Sequence, residues 1–152
     1  MIPLIVLIVG TAAARLAGKL GLRPFGDWPG AVRAGLAVMF VFTAVAHFNS
    51  MRADLVAMVP PSLPAPGFLV TFTGVSEILG AIGLLVPSSR RAAALALMVF
   101  LVAVLPANIY AATSGATLGG EPVTPLVPRV ALQALFFVLV WWAGFRHGGT
   151  AR

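Results

Sequence analysis

The sequence of 152 residues contains no cysteine. This absence excludes disulfide bonds, thiol catalysis and Cys-ligated metal or iron–sulfur sites within the chain. Charged residues are also scarce, at 9% of the chain against about 25% in an average soluble domain. With 60% of its residues hydrophobic, the chain has too few charges to cover the surface of a soluble fold. It is therefore expected to be a membrane protein.

Acidic residues are few, but the resulting positive charge does not indicate nucleic-acid binding. Ten Lys and Arg against four Asp and Glu give a formal net charge of +6. These residues lie between apolar runs and form no patch with interleaved aromatic residues. No HExxH, GxGxxG or phosphate-binding loop is present. His47 and His147 end two different apolar runs, and these ends are expected on opposite sides of the membrane. The two histidines therefore cannot share a haem or a metal, and no metal site is expected.

Long apolar runs are the dominant feature that the sequence does have. Five of them, at about 2–22, 31–48, 67–86, 92–112 and 126–145, approach the ~20 residues that a helix needs to cross about 30 Å of hydrocarbon. None alternates polar and apolar residues as a barrel strand does, and proline- and glycine-rich segments separate them. The runs predict an all-α, polytopic membrane helix bundle with five spans, forming a single domain over 1–152 in the lipid bilayer.

The basic residues predict how this bundle is oriented. With five crossings, only Arg52 and Arg129 fall on one side of the membrane. The other eight fall on the opposite side: Arg15, Lys19, Arg23, Arg33, Arg90, Arg91, Arg146 and Arg152. Because cytoplasmic loops carry the excess of Lys and Arg, we expect a cell-membrane protein with its N-terminus outside and its C-terminus in the cytoplasm. No basic segment precedes the first run, which is therefore expected to be a span rather than a cleaved signal peptide.

One carboxylate lies deep in the third run. Glu77 is about 10 residues, or about 15 Å, from either end, and an ionised carboxylate that faces lipid is too costly to keep. Gly74, Gly80 and Ala81 lie within a turn of it on the same side of the helix, where small residues let another helix come close. Glu77 is therefore expected to point into the bundle, either in a functional site or as a packing carboxyl bonded to a neighbouring helix.

Polar residues of the other runs cluster toward their outer ends. They are His47, Asn108, Arg129 and Gln133, and Pro106 is expected to kink the fourth run and free the Val102 carbonyl. With Glu77 as the floor, they predict a polar pocket open to the outer face. In this pocket Asn108 and Arg129 turn toward the carboxyl, and Arg129 is its candidate partner. His47 is expected about 10 Å shallower than Glu77, so no direct contact should join them. Solvation at the membrane surface is the alternative for each residue.

Four segments resemble the DoxX family of small membrane proteins. They are FTAVAHF at 42–48, MVPPSLPAPG at 58–67, TGVSEILGAIGLLVPSSRRAAALAL at 73–97 and LPANIYAA at 105–112. The resemblance covers about residues 36–112 well and the last run loosely, and it implies a four-helix core preceded here by an extra N-terminal helix. The family pattern falls on His47, Pro60, Pro61, Glu77, Arg90, Arg91, Pro106 and Asn108.

The resemblance implies a role in membrane redox chemistry. DoxX proteins resemble the small subunit of thiosulfate:quinone oxidoreductase, and some relatives occur with superoxide dismutase and a sulfurtransferase in a membrane assembly. An accessory or quinone-interacting subunit is thus implied, with a quinone headgroup as ligand, a redox protein as partner and no covalently bound cofactor. Because cysteine is absent, a thiol relay would need the partner protein. A small-molecule transporter and a purely structural assembly subunit are the alternatives.

Overall fold

The computed structural model describes residues 1–146, which are mostly helical. His147 and Arg152, which enter the histidine and charge arguments above, lie outside the described residues. The elements in chain order are α1 (Ile2–Lys19), α2 (Trp28–Val45), α3 (Arg52–Ala57), α4 (Pro66–Leu85), α5 (Arg90–Ala103), α6 (Leu105–Thr113), β1 (Thr117–Leu118), β2 (Glu121–Pro122) and α7 (Leu126–Phe145). A short 3₁₀ turn over Arg23–Phe25 connects α1 to α2.

Within residues 1–146, five helical segments are long and apolar enough to cross a membrane: α1, α2, α4, α5 continued by α6, and α7. Their bounds agree with the predicted spans to within a few residues, and the prediction of an all-α helical bundle is confirmed. The fourth predicted span is divided, because α5 ends at Ala103 and α6 begins at Leu105. Pro106 lies in the first turn of α6, where its missing N–H costs no intrahelical hydrogen bond.

Four of these segments form a closed ring, and the fifth lies outside it. Contacts run from α2 to α4, from α4 to α5, from α5 to α7 and from α7 back to α2, whereas α1 packs mainly on α2. The ring encloses apolar side chains that are at most 2% exposed, among them Leu36, Phe40, Leu84, Leu97 and Val140. The bundle is thus a four-helix core with an extra N-terminal helix on its outside, the arrangement that the family resemblance implied.

The connections between the helices define two ends of the bundle. We call one the hairpin face, because its connections 46–65 and 114–125 carry α3 and the β1–β2 hairpin. The hairpin turns at Gly119 and Gly120, whose φ values of 63° and 83° fit the two-residue turn that such hairpins favour. Asp54 joins α3 to this turn, since its Oδ2 accepts from the Gly119 amide at 2.7 Å. The opposite end, with connections 20–27 and 86–89, is the basic face.

Arg33 was counted among the basic residues of the cytoplasmic side, but it does not lie in a loop. It lies in the second turn of α2 and is only 6% exposed. Its Nη1 donates to the carbonyl of Ala143 at 2.9 Å and to that of Arg146 at 3.4 Å. Because the last carbonyls of a helix have no partner within it, Arg33 caps the end of α7 and ties α2 to α7 near the basic face.

Candidate functional site

Glu77 points into the bundle, as predicted. It lies in α4 and is 7% exposed. Thr43 of α2 donates its hydroxyl to Glu77 Oε2 at 3.1 Å, so the carboxyl has a polar neighbour from another span. Small residues on the same side of α4 make this possible, since Gly80 lies against Leu97 of α5 and Ala81 is 1% exposed. The carboxyl is therefore held between α4 and α2, away from the lipid-facing surface.

His47 contacts Glu77 directly, so the predicted separation of these two residues is wrong. Its Nε2 lies 3.7 Å from Glu77 Oε2, and its Nδ1 lies 2.7 Å from the Val70 carbonyl. The four residues from Pro66 to Val70 raise α4 by about 6 Å, so α4 extends past the end of α2. His47 consequently lies beside the second and third turns of α4 rather than beside its N-terminus. From there its side chain reaches the Glu77 carboxyl.

Gly74 provides the space for His47 on the surface of α4. A Cβ at Gly74 would lie 2.6 Å from the Cβ and 2.8 Å from the Cγ of His47, closer than side chains can pack. Gly74 and Glu77 are three residues apart and so share a helix face. The glycine thus lets the side chain of His47 lie close against α4, one turn from the carboxyl. The small residues around Glu77 therefore have a specific consequence, which is the space for His47.

The orientation of the His47 ring follows from its two partners. A carbonyl only accepts hydrogen bonds, so the contact with the Val70 carbonyl requires a proton on Nδ1. The Thr73 hydroxyl also lies 3.3 Å from Nδ1 and donates to the Leu69 and Val70 carbonyls. Nε2 is then the nitrogen directed at Glu77, free either to accept a proton or to carry one as imidazolium.

Arg52 fixes the segment that carries His47, a role that the sequence did not reveal. Its Nη1 donates to the His47 carbonyl at 2.9 Å. Its Nη2 donates to the Gly67 carbonyl at 2.8 Å and to the Thr71 hydroxyl at 2.9 Å. One guanidinium therefore links the end of α2 to the first turns of α4. The sequence showed only a basic residue in an outer loop, and the long-range partners depend on the fold.

A second polar group lies between α6 and α7. Arg129 Nη1 donates to Asn108 Oδ1 at 2.7 Å, and Asn108 Nδ2 donates to Gln133 Oε1 at 3.2 Å. Gln133 Nε2 in turn donates to the Leu101 carbonyl. All three side chains are half-buried. These hydrogen bonds connect the start of α7 to the break between α5 and α6. There the Gln133 side chain supplies a donor to the Leu101 carbonyl.

The proline prediction identified the helix break between α5 and α6. Pro106 was expected to free the Val102 carbonyl, and the carbonyl that the polar group bonds is that of the preceding residue, Leu101. Leu101 faces the core at 6% exposure.

The contacts between the predicted site residues divide them into two groups. The Glu77 group is Glu77, His47, Thr43 and Thr73, and the Arg129 group is Arg129, Asn108 and Gln133. Among residues 1–146, no hydrogen bond or ion pair described above joins the two. Arg129 pairs with the Asn108 amide oxygen instead of the Glu77 carboxyl. A ligand-sized pocket floored by Glu77 stays a prediction.

The donor types in the two groups limit the chemistry they can do. Across residues 1–146, no cluster of three or more His, Cys, Asp or Glu side chains could hold a metal ion. The Glu77 group pairs one carboxyl with one imidazole, a combination suited to holding and passing a proton. The Arg129 group presents a half-buried guanidinium, which suits a carbonyl or an anionic oxygen as partner.

Comparison with known proteins assigns the family and no activity. No curated protein and no solved structure matches the chain. A family model described as "Domain of unknown function (DUF8561)" matches residues 36–145. The match runs from the middle of α2 to the end of α7, so it covers both polar groups and leaves out α1. The match spans more than two thirds of the chain, which therefore belongs to the DUF8561 family.

Proposed function

We propose that this chain is an integral membrane subunit of a redox system, in which Glu77 and His47 hold and pass a proton near the hairpin face. The observation that carries the proposal is the 3.7 Å approach of His47 Nε2 to a Glu77 carboxyl that is 7% exposed. Ionisable side chains inside membrane spans are expensive and are mostly retained for a function. The resemblance of the segments around both residues to DoxX proteins supports the redox context.

The two residues can exchange a proton along a short, defined path. With Nδ1 bonded to the Val70 carbonyl, Nε2 takes a proton from Glu77 or returns it. The Thr43 hydroxyl donates to the same carboxylate oxygen and so holds the carboxyl in position beside the ring. Because 3.7 Å exceeds a hydrogen-bond distance, the transfer requires the ring and the carboxyl to approach by about 0.5 Å or more.

A quinone is the ligand class that we propose for this system. A bound quinone would supply two carbonyl acceptors and reversible two-electron, two-proton chemistry. The donor set fits such acceptors, because Arg129 is a half-buried guanidinium whose Nη1 is engaged by Asn108 and whose other N–H groups are further donors. Arg129 would hold a carbonyl oxygen, while Glu77 and His47 supply or accept protons on the same side of the bundle.

The proposed membrane placement follows the charge distribution. Four basic residues lie at or near the basic face: Arg15, Lys19, Arg90 and Arg91. Two lie toward the hairpin face, Arg52 and Arg129. By the positive-inside rule we assign the basic face to the cytoplasm and the hairpin face to the outside of the cell membrane. The proton pair would then exchange with the outer side.

Titration calorimetry on the protein in lipid nanodiscs tests the proposal. A short-chain benzoquinone and a short-chain naphthoquinone are titrated in buffers of different ionisation enthalpy, which reports the protons taken up on binding. Wild type should bind one of them with proton uptake or release, and Glu77→Gln should bind with that proton count abolished. Ser76→Ala is the matched control, since the Ser76 hydroxyl bonds only the Phe72 carbonyl of its own helix.

Two outcomes would overturn the proposal. Absence of binding by wild type to either quinone would remove the ligand, and an unchanged proton count in folded Glu77→Gln would remove the role of the carboxyl. In both cases the packing alternative, an assembly subunit with Glu77 as an inter-helix bond, would be favoured. Circular dichroism of each variant shows that a loss of binding does not come from loss of helix.

A further inference from the structure

The helix outside the four-helix core leaves a groove beside it. Because α1 packs mainly on α2, a gap of about 660 Å³ remains between α1, the start of α2 and α7. Its walls are almost entirely apolar, and its residues include Leu4, Leu7, Ile8, Leu135 and Leu139. α1 itself is little buried, with Ile5, Ile8 and Leu16 each more than half exposed. The groove therefore faces the hydrocarbon of the membrane along its length.

The groove changes character at its end on the basic face. Its lining there includes Arg15, Lys19 and Trp28. The Arg15 guanidinium lies 4.9 Å from the centre of the Trp28 ring and donates to the Gly26 carbonyl at 2.5 Å. It is thus held in place at the mouth of the groove, while Lys19 is exposed beside it. No acidic residue of the described part of the chain lines the groove, so the two cations give this end a net positive charge.

We propose that this groove binds an anionic phospholipid, with an acyl chain along α1 and the phosphate on Lys19 and Arg15. The groove runs from Leu4 to Lys19, about 22 Å of helix, which exceeds the ~15 Å of one leaflet's hydrocarbon. A chain that enters from the basic face can therefore lie wholly within it. Its headgroup would then meet two cations and the Trp28 ring, the usual pairing at a membrane surface.

A second groove on the other side of α1 differs from the first in having no cations. It measures about 590 Å³ and is lined by Ile5, Val9, Ala13, Ala17, Phe25 and other apolar residues, with no charged side chain from residues 1–146. Both grooves would admit an acyl chain, but only the first offers cations to a phosphate. The residues of the Glu77 and Arg129 groups lie outside the lining of both grooves. The lipid site is therefore independent of the proposed redox function.

Quenching of Trp28 by brominated lipids tests the proposal. Trp141 and Trp142 are replaced by Phe, and the protein is placed in vesicles of brominated phosphatidylglycerol or brominated phosphatidylcholine mixed with unbrominated lipid. We expect the relative binding constant to favour phosphatidylglycerol by about fivefold for each cation. Lys19→Gln and Arg15→Gln should each reduce this preference. Arg23→Gln is the matched control, because Arg23 is an exposed cation at the same face that does not line the groove.

A pair of adjacent alanines tests whether the chain lies in this groove. Ala12 lines the first groove and Ala13 the second, and both are exposed. Ala12→Phe should lower the binding constant for phosphatidylglycerol several-fold, whereas Ala13→Phe should leave it unchanged. Retention of phosphatidylglycerol over phosphatidylcholine in native mass spectra of the unmodified chain gives the same comparison without tryptophan substitutions. Equal binding of the two lipids by wild type, or equal effects of Lys19→Gln and Arg23→Gln, would overturn the proposal.

Discussion

Gly74 of α4 and His47 beyond the end of α2 are in direct contact: a Cβ on Gly74 would lie 2.6 Å from the Cβ of His47. The absence of a side chain at this one position lets the imidazole reach the level of Glu77. His47 is in turn anchored through its carbonyl by Arg52 and through its ring by the Val70 carbonyl. The proton pair therefore depends on a glycine and an arginine that carry no proton chemistry themselves.

Gly74→Ala should displace His47 and separate the pair. The added methyl meets His47 ring and Cβ atoms rather than a flexible chain end, so we expect a loss of about 1–3 kcal/mol in the free energy of unfolding. The measurement is thermal unfolding in detergent micelles. Gly67→Ala is the control, since the nearest atom to its Cβ position is Arg52 Nη2 at 3.8 Å. A stability of Gly74→Ala equal to that of Gly67→Ala would contradict the packing argument.

The spans were predictable from the sequence, whereas the contacts between them were not. Long apolar runs bounded by Pro and Gly determine helix bounds locally, and Gly74, Gly80 and Ala81 correctly indicated that Glu77 faces another helix. The contact between His47 and Glu77 depends on how far α4 extends past the end of α2. That stagger is set by the connection 46–65 and its Arg52 bonds, none of which follows from periodicity.

The Arg129 group shows the same division between local and long-range information. The four-residue spacing of Arg129 and Gln133 correctly places both on one face of α7, where each bonds Asn108. Pro106 correctly marks a discontinuity between α5 and α6. Which carbonyl the side chains reach depends on the rotation of α5 about its axis, and this is set by core packing of Leu97 and Leu101. The spacing of residues in the sequence does not determine how α5 is rotated about its axis.

Replacing Glu77 should separate its hydrogen-bonding role from its charge. Glu77→Gln keeps an oxygen that accepts from Thr43, so the unfolding free energy should change by less than about 1 kcal/mol. Glu77→Leu removes the partner of His47 Nε2 inside an apolar bundle and should cost about 1–3 kcal/mol. Both are measured by unfolding in the same detergent. A leucine variant as stable as the glutamine variant would show that His47 gains nothing from a polar partner here.

The orientation of the bundle can be checked with single cysteines, because the chain has none of its own. Ser62 lies on the hairpin face and Ser88 on the basic face, and both are exposed. By the positive-inside rule, Ser62→Cys should react with an impermeant maleimide in intact cells, and Ser88→Cys only after permeabilisation. The cysteine-free parent is the control for background labelling. The reverse pattern would place the Glu77 group toward the cytoplasm.

Double-mutant cycles decide whether the two polar groups act as one site. Arg129 Nη1 and Asn108 Oδ1 are 2.7 Å apart, so Arg129→Met and Asn108→Ala should show a coupling energy of about 1.5–3 kcal/mol, as expected for a hydrogen bond to a charged group. Glu77→Gln and Asn108→Ala share no hydrogen bond, so their effects on the unfolding free energy should add to within about 0.5 kcal/mol. If the quinone proposal holds, the same pair should become coupled when binding is measured instead of unfolding, because one ligand would then contact both groups. Coupling already present in unfolding without ligand would instead mean that the groups are linked through the bundle itself, and the division into two groups would be wrong.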